Sequence, residues 1–415
     1  MTTEWVERPF IEVADYSVGR TPARANAAFW AATEEPTPWV TISDMPAYGV
    51  VASTKESISG EAFDRVFGGS VRPAGTLIMS FKLTIGRVAT LGIPAVHNEA
   101  IISIYPKPGM DQRFLGYYLS QVDYTQFQDR QIKGNTLNKS KIDRIPVPVP
   151  PEGEQKAIAD VLDGVRDLVA LEQDAVTVTR RLIRAIGQVV LSTEEGRQLD
   201  DWMYERIGDR HDVSSGGTPS RSVPVYWNGG TIPWVKTTEV NYSVITDTSE
   251  RITQRGLDES AAKILPAGTV VLAMYGQGVT RGKVAILGID AATNQACAAI
   301  QANDDAVEGR FLYQYLAFKY EELRRLAHGG QQQNLNLDIV RDFPIAYPAS
   351  KKTQIEIAEV FEALDRKLSL HKSRLRALEI LFETVLAQLM SGEVRVNDLE
   401  EADLGVQREL EEATA

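Results

Sequence analysis

Two stretches of the chain place their apolar residues at alternating steps of four and three. In the later stretch Leu364, Leu368, His371, Leu375, Leu378, Phe382, Val385 and Leu389 follow this spacing. In the earlier one Val165, Val169, Glu172, Val176, Thr179, Ile183, Ile186 and Val190 do the same. Sustained four-three spacing predicts long helices that meet along a coiled-coil seam. The competing reading is two amphipathic helices, each packed on its own domain. The seam has a polar layer where Glu172 in one helix corresponds in register to His371 in the other. If a two-fold axis passes near this layer, the two side chains meet and fix the register; otherwise both lie at a wet edge.

The pattern outside these helices is different. "TLIMSF", "AIISIY", "TVVLAMY" and "ACAAIQ" are short apolar runs bounded by Gly and Pro, which predicts buried strands. Helical patterns follow at "RFLGYYLSQ" and "RFLYQYLAFKYEELRRLA". These runs recur in order, because the chain repeats itself. "GRTPAR" from Gly19 returns as "GGTPSR" from Gly216, and "GRVATLGI" from Gly86 returns as "GKVAILGI" from Gly282. "HNEA" at His97 becomes "TNQA" at Thr293. "NTLNKSKIDRIPVPVP", ending at Pro150, matches "QNLNLDIVRDFPIAYP", ending at Pro348. The expected layout is a domain over 1–150, a helix over 151–198, a second copy over 199–349, a second helix over 350–392, and an acidic tail over 393–415. The tail reads as disordered or peripheral.

Composition narrows the class. Hydrophobic content of 43% and charged content of 24% fit a soluble globular protein. With no bilayer-length apolar run and no signal peptide in "MTTEWVERPF", the expected location is the cytoplasm. The single cysteine, Cys297, suits that location and reads as a buried strand residue. His97, His211, His328 and His371 share no ligand spacing, so no metal site is expected. The net charge of −12 is uneven: the tail region from residue 391 holds eight acidic and two basic side chains, whereas residues 1–150 balance at fifteen of each sign. An acidic chain can therefore still carry positive surfaces.

The stretch "YGQGVTRGKV", Tyr275 to Val284, approaches a phosphate-binding loop without being one. Five residues separate Gly276 from Gly282 and three separate Gly278 from it, where such a loop needs four, and Val284 stands where Ser or Thr would meet magnesium. Its twin, "FKLTIGRV" from Phe81, is shorter and lacks two of the glycines. The copies also disagree wherever chemistry would sit, with Thr293 for His97 and Gln295 for Glu99. Neither copy gathers an acid, a base and a nucleophile.

The Gly-Gly-Thr-Pro-Ser entry followed by "YWNGGTIPWVKTTEV", the "QQNLNLDIVRDFPI" exit into "KKTQIEIAEVFEALD", and the duplication with long helices together resemble the specificity subunits of type I restriction–modification systems. The resemblance covers nearly the whole chain, and the first copy departs from it most. It implies duplicated α/β (α+β) target recognition domains separated by two long helices in an antiparallel coiled coil with a pseudo-two-fold. It also implies that each copy reads one half of a gapped target on double-stranded DNA. The helices would set the spacing and dock two methylation subunits, with up to two restriction/motor subunits joining. S-adenosylmethionine, ATP and magnesium would belong to those partners; this chain would bind no cofactor and catalyse nothing. A DNA-binding adaptor outside restriction is the alternative.

Candidate DNA contacts follow from comparing the copies, since phosphate contacts position a protein and base contacts specify. A cation after glycine is kept, Arg87 and Lys283, which suits a phosphate. Lys82 and Thr84 against Gln277, Thr280 and Arg281 vary, which suits base edges; a hairpin with a merely solvated lysine is the competing reading. Lys133, Asn135, Thr136 and Lys139 against Gln331, Gln332, Gln333 and Asn334 form a second set, because Gln and Asn pair with adenine and Lys reaches guanine. Thr21 and Arg24 with Thr218, Ser220 and Arg221 form a third, and Lys236 with Thr237 a fourth. Asn138 and Asn336, in a retained Leu-Asn pair, read as caps. Trp30 and Trp227 recur and read as core.

Overall fold

The computed structural model describes residues 5–127, 129–131, 134–192, 201–276, 279–303, 305–326 and 334–396. The chain divides into two compact units. One runs to Leu171 and resumes at Arg374; the other spans Glu172–Ser373.

In the first unit a five-stranded sheet has the order Ala14–Val18, Ile101–Pro106, Leu77–Ser80, Val88–Leu91, Tyr48–Val51. The pairs are antiparallel except the last, where Tyr48–Val51 runs parallel to Val88–Leu91. A three-stranded sheet is centred on Thr37–Val40, between Glu56–Ile58 and Val96–His97. Leu77–Ser80 is buried at every position, as a continuous apolar run requires of a strand covered on both faces. The helix Gln112–Gln121 covers one side with Phe114, Leu115, Tyr117 and Leu119.

The second unit repeats this arrangement. Its five strands are His211–Ser215, Cys297–Ala302, Val270–Ala273, Val284–Leu287 and Val244–Ile245, and its smaller sheet is centred on Ile232–Val235. The single helix expected over "RFLYQYLAFKYEELRRLA" is two, Gly309–Phe318 and Tyr320–Leu326, broken at Lys319.

The long helices span Glu152–Val190 and Lys351–Ser391. In the first unit Ile158 and Leu162, near the start of one, share a core with Leu386, Leu389 and Met390, near the end of the other. In the second unit Ile183, Ile186 and Val190 pack with Ile357, Ala358 and Phe361. Each unit therefore holds an antiparallel helix pair. Every seam position named above is buried or half-buried, while Leu168, Leu171, Val178 and Leu182 beside the seam are exposed. The polar layer forms: His371 Nδ1 lies 2.6 Å from Glu172 Oε2, each side chain 15% exposed. Residues 393–396, taken with the tail in sequence, belong to the first unit's packing. Val396 is buried, and Arg395 binds Glu154 at 2.7 Å and lies 4.5 Å from the Trp5 ring centre. The rest of the tail lies outside the described residues.

Candidate nucleic-acid interface

Backbone hydrogen bonds draw the candidate loops of each domain to one edge. In the first domain Arg20 N donates to His97 O, Asn98 N to Val40 O, Phe81 N to Ala100 O and Leu137 N to Phe81 O, all within 2.9–3.0 Å. The second domain uses the same links: Gly217 N to Thr293 O, Asn294 N to Val235 O, Met274 N to Ala296 O and Leu335 N to Met274 O, at 2.9–3.2 Å. Loops far apart in sequence thus meet at the ends of the sheets. Thr218 extends the link through side chains, donating to Gln295 Oε1. The anchors also correct the loop alignment. Phe81 matches Met274 rather than Tyr275, and the second loop is longer by three residues, since Gly86 N bonds Ser80 O while Gly282 N bonds Ala273 O.

Several candidate cations already have protein partners. Arg24 makes a two-pronged pair with Glu56, at 2.6 and 2.8 Å, and its guanidinium lies 3.8 Å from the Trp30 ring centre. Arg221 repeats this with Glu250 and Trp227, at 3.7 Å from the ring. Lys236 binds the same Glu250 at 2.7 Å. These pairs hold the Glu56 and Glu250 carboxyls below the usual range; Glu56 balances Arg24, while Arg221 and Lys236 share the one charge of Glu250. Trp30 and Trp227 are not core residues in the full sense. They are half-buried, set edge-to-face on the buried Trp39 and Trp234, with arginine as a cover.

The retained cation after glycine is used differently in the two copies. Arg87 donates to Ile42 O at 3.3 Å and Met45 O at 2.7 Å, so its fixed role is to hold a turn. Lys283 donates to Asn241 Oδ1 at 2.7 Å and lies 5.7 Å from the Tyr242 ring centre, a side-chain anchor that a phosphate can displace more readily than main chain.

The polar candidates fall into two groups. Thr21, Thr84, Lys139, Ser220 and Asn334 are exposed. Lys82, Thr218, Thr237, Thr280 and Arg281 are half-buried. Lys133, Gln277, Gln331, Gln332 and Gln333 lie outside the described residues. Asn135 and Thr136 sit on the strand Gly134–Thr136, paired with Asp129–Gln131. Asn138 and Asn336 cap short helices, accepting from Lys141 N at 3.0 Å and Ile339 N at 2.8 Å.

Sequence reasoning missed two buried glutamines. Gln155 Nε2 donates to Gly109 O and Pro150 O at 3.0 and 2.8 Å, and its Oε1 accepts from Asp111 N at 2.8 Å. Gln354 does the same with Ala306 O, Pro348 O and Glu308 N, at 2.9, 2.8 and 2.7 Å. Each fixes the first turn of a long helix to the domain before it. The signal was present, as a Gln near the start of each helix in both copies. Nearby, Arg113 bridges to Asp160 and Asp163, and Arg310 to Glu308 and Glu362, which explains why "RFL" recurs.

His97 and Cys297 are both buried. The His97 ring is buried and held down to about 4, chiefly by desolvation; Nε2 faces Ser103 Oγ at 2.6 Å. Burial pushes the Cys297 thiol up to about 12. Among the described residues no three His, Cys, Asp or Glu side chains cluster as a metal site.

A chain that builds the same mixed-sheet domain twice, keeps its internal bonds and varies the side chains along one edge is a duplicated recognition module. Its family is defined by sequence. The type I restriction modification DNA specificity domain matches twice, at residues 2–177 and 199–379, and the chain belongs to that family. It is 21% identical to the MjaIX specificity subunit of Methanocaldococcus jannaschii, covering 95% of both chains. It is also 21% identical to the EcoR124I/EcoR124II specificity subunit of Escherichia coli, over 62% of this chain and 65% of that one. The fold is similar to that of the type I restriction–modification S subunit from M. genitalium, with a TM-score of 0.63, 14% identity, and coverage of 94% and 97%. A chain from a type I system described for its complex assembly and conformational transition gives 0.57, 15%, and coverage of 95% and 99%.

Proposed function

We propose that each domain reads one half of a split target on double-stranded DNA through the edge described above. The long helices set the distance between the halves and dock two methylation subunits, and up to two restriction/motor subunits complete the assembly. The chain itself carries out no chemistry. S-adenosylmethionine, ATP and magnesium are handled by the partners, in the cytoplasm. No helix among the described residues is long and apolar enough to cross a membrane.

The observation that carries this reading is the matched set of backbone links beneath an edge whose side chains differ between copies. A shared scaffold with different contacts is what reading two unlike half-sites requires. Family membership favours this role over that of an adaptor outside restriction. The test is exchange of residues 1–150 for those of a relative, followed by sequencing of methylated bases in host DNA. One half of the target should change and the other persist; a change in both would overturn the two-reader arrangement. The purified chain with S-adenosylmethionine should methylate nothing until the methylation subunit is added.

A further inference from the structure

The first domain contains a cavity that the second has closed. It lies between the end of the strand Ala14–Val18 and the C-terminal end of the helix Gly60–Phe67, with a volume of about 390 Å³. Its polar lining is Ser17, Arg20, Ser70, Arg72 and His97, and none of its lining residues is acidic. In a chain with 56 acidic and 44 basic residues, a cavity with two arginines and no carboxylate is unusual.

Arg72 is the central group. Its main chain pairs with Ala95, N to O at 2.8 Å and back at 3.0 Å, which fixes the base of the side chain at the cavity wall. The side chain is half-buried, and among the described residues its guanidinium has no hydrogen-bond or ion-pair partner. A guanidinium has five N–H donors, and those of Arg72 are open to an acceptor that enters the cavity. Arg20 donates one bond, to Val66 O at 2.6 Å, and keeps its other donors. His97 cannot serve as the acceptor, since Nδ1 faces Asn98 O and Nε2 faces Ser103 Oγ.

The scaffold does not demand this arrangement. In the second domain Gly217 replaces Arg20, Leu265 replaces Arg72 and Thr293 replaces His97, each at the same backbone link. The main chain of Ala261–Ala262 fills the space: a Cβ on Gly217 would fall 2.4 Å from it.

We propose that the cavity binds one phosphate group, and that this site belongs to the first domain alone. The guanidinium fork matches a tetrahedral oxyanion, and Ser17 and Ser70 offer hydroxyl donors. A DNA phosphodiester and free inorganic phosphate share this chemistry. The position favours the phosphodiester, because Gly19 and Arg20 lead directly to Thr21 at the proposed DNA edge. That preference rests on the function proposed above; the anion site itself does not.

The experiment has two arms, each using the full chain as wild type, Arg72→Gln and Arg72→Lys. In the first, inorganic phosphate is titrated at constant ionic strength while arginine Nε–H resonances are followed. A saturable shift of the Arg20 resonance in the wild type, absent in Arg72→Gln and retained at least in part by Arg72→Lys through its charge, supports the site. In the second, DNA binding is measured against salt. Arg72→Gln should lower the slope of log affinity against log salt by about one without altering base preference. A single neutral methylphosphonate in the first domain's half-site should weaken wild-type binding severalfold and leave Arg72→Gln unaffected. Response in the first arm alone supports the site with free phosphate as its occupant. Folded Arg72→Gln protein indistinguishable from wild type in both arms overturns it. Failure of the chain to bind DNA would overturn the DNA reading and leave the first arm to decide the site.

Discussion

Replacing His97 with threonine, the residue its twin position carries, should remove an acid sensitivity from the first domain. His97 is 2% exposed, and desolvation holds it near 4 against about 6.5 for the free side chain. The folded domain therefore keeps the ring neutral while the unfolded chain takes up a proton. Stability from this group is complete above about pH 6.5, falls as the pH drops towards 4, and changes no further below that. Each unit of separation is worth about 1.4 kcal/mol, so the full loss is about 3 kcal/mol, of which about 2 kcal/mol falls between pH 7 and pH 5. That interval lies mostly above the range where carboxylates titrate, which makes it the useful one. Amide exchange of the strands Leu77–Ser80 and Ile101–Pro106, corrected for intrinsic rates, measures the opening free energy of this domain. Wild-type protection should fall about thirtyfold across the interval, while His97→Thr, less stable at pH 7 through loss of the Ser103 contact, should fall far less. Equal pH dependence in the two proteins would refute the assignment.

Arg87→Ala should destabilise the first domain by about 2 kcal/mol, by leaving the Ile42 and Met45 carbonyls without their donor; urea unfolding checks this. Lys283→Ala should instead weaken binding to all DNA sequences alike and lower the salt slope by about one, and a sequence-selective loss in filter binding would contradict it. Gln354→Leu, which strands two carbonyls and an N–H, should cost about 3 kcal/mol or more in the second domain, read as a lowered denaturation midpoint. Inserting four residues in each long helix, away from the Glu172–His371 layer, adds about 6 Å. The unread gap in the target should then lengthen by about two base pairs; an unchanged gap in a variant that still binds would separate the helices from spacing.

The fold was legible where one residue's environment repeats along the chain. Four-three spacing gave the seam because each turn of a helix meets its partner in the same way, and Glu172 and His371 stood out as breaks in that pattern. Duplication gave the domain order, since the two copies report on each other. The site was harder to read because its geometry joins distant residues. Nothing near Arg24 or Arg221 in sequence announces Glu56 or Glu250, so both arginines looked available for DNA. Arg87 and Lys283 align as one retained cation, yet one holds main-chain carbonyls and the other a side-chain amide. Identity of charge type said nothing of what each charge touches.

The core of the first unit draws on segments more than two hundred residues apart in sequence. Phe10, Phe114 and Ile158 pack in the same cluster as Leu386, Leu389, Met390 and Val396. During synthesis, which delivers earlier residues first, this core lacks a wall until residues 386–396 have been made, whereas the unit spanning Glu172–Ser373 has its residues earlier. The domain translated first is thus the one finished last. A ribosome that stops anywhere before residue 386 releases a chain whose leading domain still exposes the apolar surface those last turns would cover, a ready mark for proteolysis.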